Sequence, residues 1–282
     1  MPNITEAINR ASKILNENEI SNPRMEAASL LSVALQKNKT FLIANNEYKL
    51  TEKENYIFHL FVSRRADREP FQHIAGVQEF YGLEFKVSPE VLIPRPETEL
   101  IVEEGIAFLK SHSQANFCEL GIGSGCISVA LLNNLENAEA IAGDISGVAL
   151  KIASENAKSH SVNERLKLFE SDLFNQIPKQ TFTLIVSNPP YIPLSNFDGL
   201  QKEVRDFDPR VALTDEKDGL SITRKIVKQS PEWLKSSGML LIEIGFNQSE
   251  KVKAFFGDDI WNSVDLVSDF QGIPRIVKAQ VT

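Results

Sequence analysis

The sequence predicts an α/β protein in which a seven-stranded, mostly parallel sheet interleaved with helices follows a small helical bundle, the two joined by a β-hairpin. Three observations carry this. From Pro94 onward, short apolar runs alternate with segments of helical period, the rhythm of a doubly wound sheet. Two of those runs end in chain-breaking stretches, Gly121-Ile122-Gly123-Ser124-Gly125 and Asn188-Pro189-Pro190-Tyr191. Strands of an open α/β sheet end this way at the carboxyl edge, where such sheets bind ligands. Residues 4 to 65, by contrast, show helical periodicity alone.

The elements follow in order. Ile4, Ala7, Ile8, Ala11, Ile14 and Leu15 lie on one helical stripe, which predicts a helix ending near Asn16. Ser21-Asn22-Pro23 starts a second, with the proline in the first turn ahead of Met25, Ala28, Leu31 and Leu35. Thr51-Glu52-Lys53-Glu54 fits a capping box before Ile57, Phe58 and Phe61. Between Pro70 and Leu92 the runs Phe71-Gln72-His73-Ile74 and 80–87, broken by glycines, read as a hairpin connector. The expected domains are therefore a helical domain at 1–69, a connector at 70–92 and an α/β domain at 93–282. In the last, strands are expected at 116–120, 139–143, 166–170, 183–187, 239–244, 263–267 and 275–281, and helices at 99–109, 127–133, 148–159 and 249–256.

Composition narrows the function classes. With 42% hydrophobic and 24% charged residues the chain is an ordinary globular protein. The amino terminus lacks the basic start and apolar core of a signal peptide, and no apolar run approaches a membrane span, so a cytoplasmic protein without membrane association is expected. His59, His73, His112 and His160 are scattered without ligand spacing, so no metal site is expected. Cys118 and Cys126 bracket the glycine loop and read as reduced packing residues. The net charge of −8, carried mostly after residue 90, argues against stable nucleic-acid binding. A monomer is expected.

The motifs point to a nucleotide-like ligand beside a planar amine. The glycines of Glu119-Leu120-Gly121-Ile122-Gly123-Ser124-Gly125-Cys126 follow a strand and open a helix, so backbone can approach a ligand closely. A dinucleotide fingerprint would place its third glycine at position 126, where this chain has Cys126. The Gly-x-Gly-x-Gly spacing after an acid favours S-adenosylmethionine over NAD, with Glu119 orienting the amino acid moiety of this cation. Asp144, with Ile145 beside it, ends the next strand, where a carboxylate can accept from both ribose hydroxyls of either cofactor. One strand further on, Asp172 is placed to read an adenine amino group, with Leu173 or Phe174 against the ring. In Asn188-Pro189-Pro190-Tyr191 the prolines hold the chain extended, so that the Asn188 side-chain oxygen and the Pro189 carbonyl can both accept from one NH2 group. An isolated Asn-Pro-Pro would read as a turn; its place after glycine loop, ribose acid and adenine acid on successive strands makes it a candidate reaction site.

Together these residues resemble the Rossmann-type methyltransferases, and in particular the peptide-chain release factor glutamine N5-methyltransferases, the PrmC or HemK family. The resemblance spans nearly the whole chain and extends to 70–76, Ile93-Pro94-Arg95-Pro96-Glu97-Thr98-Glu99, Glu203-Val204-Arg205, Asp218-Gly219-Leu220 and Gly272-Ile273-Pro274-Arg275. Glu119 stands where the family more often has Asp, and Leu173 where a larger aromatic is frequent. The resemblance implies methyl transfer from S-adenosylmethionine to the glutamine of the Gly-Gly-Gln loop of class 1 release factors. It further implies that Asn188, Pro189, Pro190 and Tyr191 hold the amide, with Tyr191 packed on its flat face. It places Arg95 and Thr98 at the pocket entrance and assigns the helical domain to gripping the release factor. Adenine-N6 methyltransferases of DNA or RNA share the Asn-Pro-Pro-Tyr tetrapeptide and are the principal alternative; the charge of −8 supplies no obvious basic groove. A glutamine on another protein, a NAD-dependent oxidoreductase and a noncatalytic S-adenosylmethionine-binding module are the other readings, the last disfavoured by intact Asn188 and Tyr191.

Overall fold

In the computed structural model, which describes residues 1–113, 115–257 and 259–282, the chain divides into two units, residues 1–77 with 201–207 and residues 78–200 with 208–282. The first unit is helical: α1 (Ile4–Glu17), α2 (Pro23–Leu35), α3 (Lys39–Ala44), α4 (Glu52–Ala66) and α5 (Phe71–Ala75), together with a short helix at Lys202–Phe207. Capping boxes at Asn3 and Thr51 start α1 and α4, each satisfying amide donors that a helix leaves free at its first turn. Ile4, Leu15, Leu30, Leu31 and Phe58 fill this unit's core. Ile14, placed on the apolar stripe by periodicity, is 37% exposed, at the margin of that stripe. The 202–207 helix is held by Glu203, which lies 3.4 Å from Arg65 and 3.3 Å from Arg68.

One local expectation is corrected here. Residues 71–74, expected as an extended run of the hairpin, are helical. Pro70 precedes the helix with φ −57°, Gly76 ends it in the left-handed region at φ +76°, and Phe71 and Ile74, one turn apart, both pack into the helical core. The hairpin proper is β1 (Val77–Phe80) and β2 (Leu83–Lys86). Its two-residue turn has Tyr81 and Gly82 both at positive φ, the form that matches strand twist.

The second unit continues with α6 (Glu99–Leu109), β3 (Asn116–Leu120), α7 (Cys126–Asn134), β4 (Glu139–Asp144), α8 (Gly147–Ser159), β5 (Leu166–Glu170) and β6 (Phe182–Ser187). After the excursion through α9, the Lys202–Phe207 helix of the first unit, come α10 (Arg210–Leu213), α11 (Ser221–Gln229), β7 (Leu234–Glu243), α12 (Ser249–Lys253), β8 (Trp261–Ser268) and β9 (Pro274–Val281). The seven strands β3 to β9 form one sheet in the order β5-β4-β3-β6-β7-β9-β8, parallel except for β9, which runs antiparallel to both neighbours. The expected seven-stranded, mostly parallel sheet is present, with each strand within a few residues of its expected position, the largest difference being the earlier start of β7. Helices α3, α9 and α10, six residues or fewer, are too short to carry a readable period, whereas α11 has one, burying Thr223, Ile226 and Val227, that the sequence reading left unassigned.

Alternation along the strands sorts side chains onto two faces. Phe117, Leu184, Val186, Met239 and Leu241 enter the core formed with α6 and α7. Cys118, Leu120, Ile185, Leu240 and Ile242 enter the opposite core with α11. Among the described residues no helix is long and apolar enough to cross a membrane.

Candidate functional site

The order of the sheet turns back at β3, with β4 and β5 on one side and β6 and β7 on the other. Such a switch point opens a crevice at the carboxyl ends of the strands. Register lines up what emerges there: Leu120 pairs with Gly143 and Ser187, and Ser187 with Ile242. The next residue on each strand therefore reaches the same edge, which brings Gly121, Asp144, Asn188 and Glu243 side by side. By alternation, Glu119, Asn188 and Glu243 follow Phe117, Val186 and Leu241 onto the face that α6 and α7 cover. A cleft enclosing about 1100 Å³, counting its open mouth, lies along this edge.

The glycine loop forms one wall. Gly121, Ile122, Gly123 and Ser124 line the cleft; Gly121 and Gly123 have φ +75° and +54°, a conformation costly for any residue with a Cβ. Gly125 does not line it. At φ +84° it caps α7, and a Cβ there would sit 3.2 Å from that of Ala153, so its smallness serves the packing of α7 on α8. Asn156 of α8, 1% exposed, braces the loop from behind, donating through Nδ2 to the Ser124 carbonyl at 2.8 Å and the Lys86 carbonyl at 3.0 Å, and accepting from the Lys86 amide at 2.8 Å. Glu119 is 1% exposed and its Oε2 accepts from the Ser128 amide at 2.9 Å and from the Ser128 hydroxyl, in the first turn of α7. Burial nonetheless pushes its carboxyl up to about 8, against the downward pull of those hydrogen bonds.

Asp144 and the half-exposed Ile145 line the cleft next to the loop. Asp144 Oδ2 accepts from the Gly123 amide and Oδ1 from the Ser146 amide, both at 2.9 Å, so the carboxylate is fixed by backbone donors. Burial raises its pKa, with those amides opposing. Asp172 and Leu173 line the cleft from the β5 side. Leu173 holds a left-handed φ of +52°, a strained position for a leucine. Phe174, the other candidate for the ring, is 4% exposed and stacked 4.7 Å from Trp233 in the opposite core, which leaves Leu173 as the apolar side chain facing the cleft.

Asn188, Pro189 and Pro190 form the wall across from the loop. Asn188 Nδ2 donates to Thr98 Oγ1 at 3.1 Å, and Thr98 Oγ1 donates to Glu243 Oε2 at 2.6 Å. Tyr191 does not line the cleft, a departure from its expected place on the flat face of the amide; its hydroxyl is directed to the Glu243 carboxylate instead, and burial and the Glu243 charge raise its pKa. Behind it, Gln248 Nε2 donates to the Tyr191 carbonyl at 2.8 Å while its Oε1 accepts from the Gly245 amide at 2.8 Å. Thr98, 2% exposed, and Arg95 also line the cleft. Arg95 Nη2 donates to Asp208 Oδ2 at 2.5 Å, and burial pushes that carboxyl up to about 6 against the guanidinium's pull. Cys118 and Cys126 are both buried and unbridged.

Glu90, Glu119, Asp144 and Asp172 thus line the cleft with Arg95 as its one lysine or arginine among the described residues. Such a lining suits a cationic ligand, which would draw Glu119 into its charged form. On the opposite wall Asn188 engages Thr98 through Nδ2, which leaves its side-chain oxygen as an acceptor. Glu243, Gln248, Ser128 and Asn156 were not reached from the sequence. A signal for Glu243 exists: it ends the apolar run Met239-Leu240-Leu241-Ile242 as Asp144 ends its own.

Residues 6–76 match the family model of the PrmC N-terminal domain, and residues 98–198 match that of the methyltransferase small domain. Over 267 residues the chain is 42% identical to a release factor glutamine methyltransferase of Geobacter sulfurreducens, covering 95% of this chain and 93% of that one. A release factor glutamine methyltransferase of Fusobacterium nucleatum is 36% identical over 96% of this chain and 77% of its own length. Among solved structures, a methyltransferase from Pyrococcus furiosus superposes with a TM-score of 0.51 at 17% identity, covering 72% of this chain and 90% of that one. At that identity the likeness shows the fold alone.

Proposed function

The chain belongs to the release factor glutamine methyltransferase family, and from that premise we propose that it methylates the side-chain nitrogen of the glutamine in the Gly-Gly-Gln loop of class 1 release factors. S-adenosyl-L-methionine, when bound, supplies an electrophilic methyl group on a sulfonium. The residues suited to hold it are Gly121, Ile122, Gly123 and Ser124, with Glu119 toward its ammonium group, Asp144 and Ile145 at the ribose, and Asp172 and Leu173 at the adenine.

The observation that carries this reading is the orientation of Asn188. Its Nδ2 is committed to Thr98, so Oδ1 is the atom left to accept from the cleft. With the Pro189 carbonyl it presents two acceptors to the two N–H groups of one amide, which holds that nitrogen in line for methyl transfer. An amide nitrogen is a poor nucleophile because its lone pair is shared with the carbonyl. Acceptors on both N–H groups favour the transition state, in which the nitrogen grows more positive. No base need act beforehand; the nitrogen gains the methyl group and then loses a proton. Tyr191, whose hydroxyl meets the Glu243 carboxylate, fixes the far end of the tetrapeptide from behind the cleft lining. Release factor recognition falls to the helical unit, a division of labour that the match of residues 6–76 supports, and transfer falls to the sheet that follows the hairpin.

The test is incubation of the purified protein with S-adenosyl-L-methionine and unmodified release factor, followed by peptide mass spectrometry. One added methyl group on the Gly-Gly-Gln glutamine is expected. Asn188→Ala should keep donor affinity and lose about 10²–10³-fold in turnover. Methyl label entering DNA or RNA, with the release factor unmodified, would overturn the reading in favour of an adenine-N6 methyltransferase.

A further inference from the structure

Glu243 is 2% exposed at the end of β7, and its hydrogen-bonding partners are two hydroxyls, Thr98 and Tyr191, rather than a cation. A buried carboxylate without an ion-pair partner is costly, and an apolar side chain would be the cheaper way to fill this place. Both hydroxyls it accepts from bear on the Asn188-Pro189-Pro190-Tyr191 wall, one through Asn188 and one within Tyr191.

We propose that Glu243 is a positioning residue that sets which face of the Asn188 amide points into the cleft, acting through the single proton of the Thr98 hydroxyl. This rests on Asn188 being the acceptor for the substrate amide. The side-chain oxygen and nitrogen of an asparagine are nearly alike in shape, so its orientation follows from its hydrogen-bonding partners. Thr98 has one proton. Given to Glu243 at 2.6 Å, it leaves only a lone pair toward Asn188, which must then present Nδ2 to Thr98 and Oδ1 to the cleft. Without a carboxylate the Thr98 proton is free to turn to Asn188 Oδ1, and the amide can reverse. An NH2 group would then face the NH2 group it has to hold, donor against donor. The second hydroxyl, from Tyr191, ties the far end of the tetrapeptide to the same carboxylate.

The charge on Glu243 is therefore what the arrangement needs. Burial pushes its carboxyl up to about 7, and the groups that act on it are few. Glu97 raises it, Arg275 of β9 lowers it, and the Thr98 and Tyr191 hydrogen bonds lower it. Burial first, then Glu119 and to a lesser degree Glu243, hold Cys126 protonated; burial and Glu243 do the same for Tyr191, against the pull of Arg95. Acidification through neutrality should protonate Glu243, release the Thr98 proton and lower kcat at saturating donor.

The experiment compares Glu243→Gln, Thr98→Val, Thr98→Ser and Asn188→Ala with the wild type, reading kcat against pH at saturating donor and donor Kd by calorimetry. A glutamine can donate as well as accept, and so no longer dictates the Thr98 proton; a valine removes the relay while keeping its shape. Both should lose roughly 10²-fold in kcat with donor Kd nearly unchanged. Thr98→Ser should recover at least about tenfold of the valine loss, because the hydroxyl is restored. The wild-type acid limb near pH 7 should vanish in Glu243→Gln. If Glu243→Gln does not fold, Thr98→Val and the wild-type profile carry the test. Wild-type kcat in Thr98→Val, with Asn188→Ala inactive, would overturn the role of the relay and leave that of Asn188 standing. An active Asn188→Ala would overturn the reading beneath it.

Discussion

Gly219 lies 28 residues beyond Tyr191 in sequence yet against it in space, and replacing it with alanine should disable the reaction wall without touching a reacting group. An added Cβ would stand 2.3 Å from the Tyr191 carbonyl oxygen, 2.8 Å from the Pro193 nitrogen and 2.9 Å from the Tyr191 carbonyl carbon. Carbon and oxygen rest at about 3.3 Å or more, so the two backbones must part by about 1 Å. Neither side yields freely. Asp215 holds the Gly219 and Ser221 amides at 2.8 Å each, and Gln248 holds the Tyr191 carbonyl at 2.8 Å. The displacement therefore passes into the Tyr191 end of the tetrapeptide, and a misplacement of about 1 Å at a reacting centre costs on the order of 10²-fold in rate. A residue with a Cβ at φ +73° adds about 1–2 kcal/mol of backbone strain. Gly82→Ala is the control: at φ +74° it carries the same strain, but a Cβ there meets nothing within 4 Å. The assay is kcat at saturating S-adenosyl-L-methionine, with donor Kd and thermal melting recorded for each variant. Gly219→Ala should lose about 10²-fold in kcat, keep donor affinity and melt below Gly82→Ala, whose kcat stays at the wild-type value. A folded Gly219→Ala with wild-type kcat would refute the claim that this contact sets the position of Tyr191.

Two further outcomes follow from buried polar groups. Glu119 titrates at about 8 folded and 4.5 in its ordinary state, so between these values the folded chain holds a proton that the unfolded chain has lost. Its contribution to stability therefore falls as pH rises through that window. A cationic donor reverses the preference, so donor affinity should rise from pH 6 toward pH 8 with proton release on binding. Calorimetry in buffers of different ionisation enthalpy measures that release, and the slope should flatten in Glu119→Gln; an unchanged slope would assign it to another group. Asn156→Ala strands the Ser124 carbonyl and both backbone polar groups of Lys86, and should lower the unfolding free energy by about 2–4 kcal/mol in urea titration. A loss below about 0.5 kcal/mol would show that water takes over those partners.

The strands of the sheet, most of its longer helices and the placing of the motifs at strand ends were legible in the sequence, because period and chain-breaking residues act over a few neighbours. Gly121 and Asn188 could be put at the carboxyl edge for that reason alone. The helix Phe71–Ala75 was not legible: five residues with aromatic and branched side chains carry no reliable period, and packing into the helical core decides their form. Gly125 looked like its neighbours in the loop, and only the nearness of Ala153 assigns it to packing. Leu173 and Phe174 were equivalent as candidates until Trp233 claimed Phe174.

The sequence by itself determined that an acidic cleft with a glycine wall and an Asn-Pro-Pro wall would form on an α/β sheet, since each wall is written in consecutive residues. Tertiary structure alone decided how that cleft is aimed. Thr98 meets Asn188 across 90 positions and Glu243 across 145, and neither pairing leaves a local trace. The direction of a shared proton depends on which groups the folded chain brings together, and residue type does not encode it.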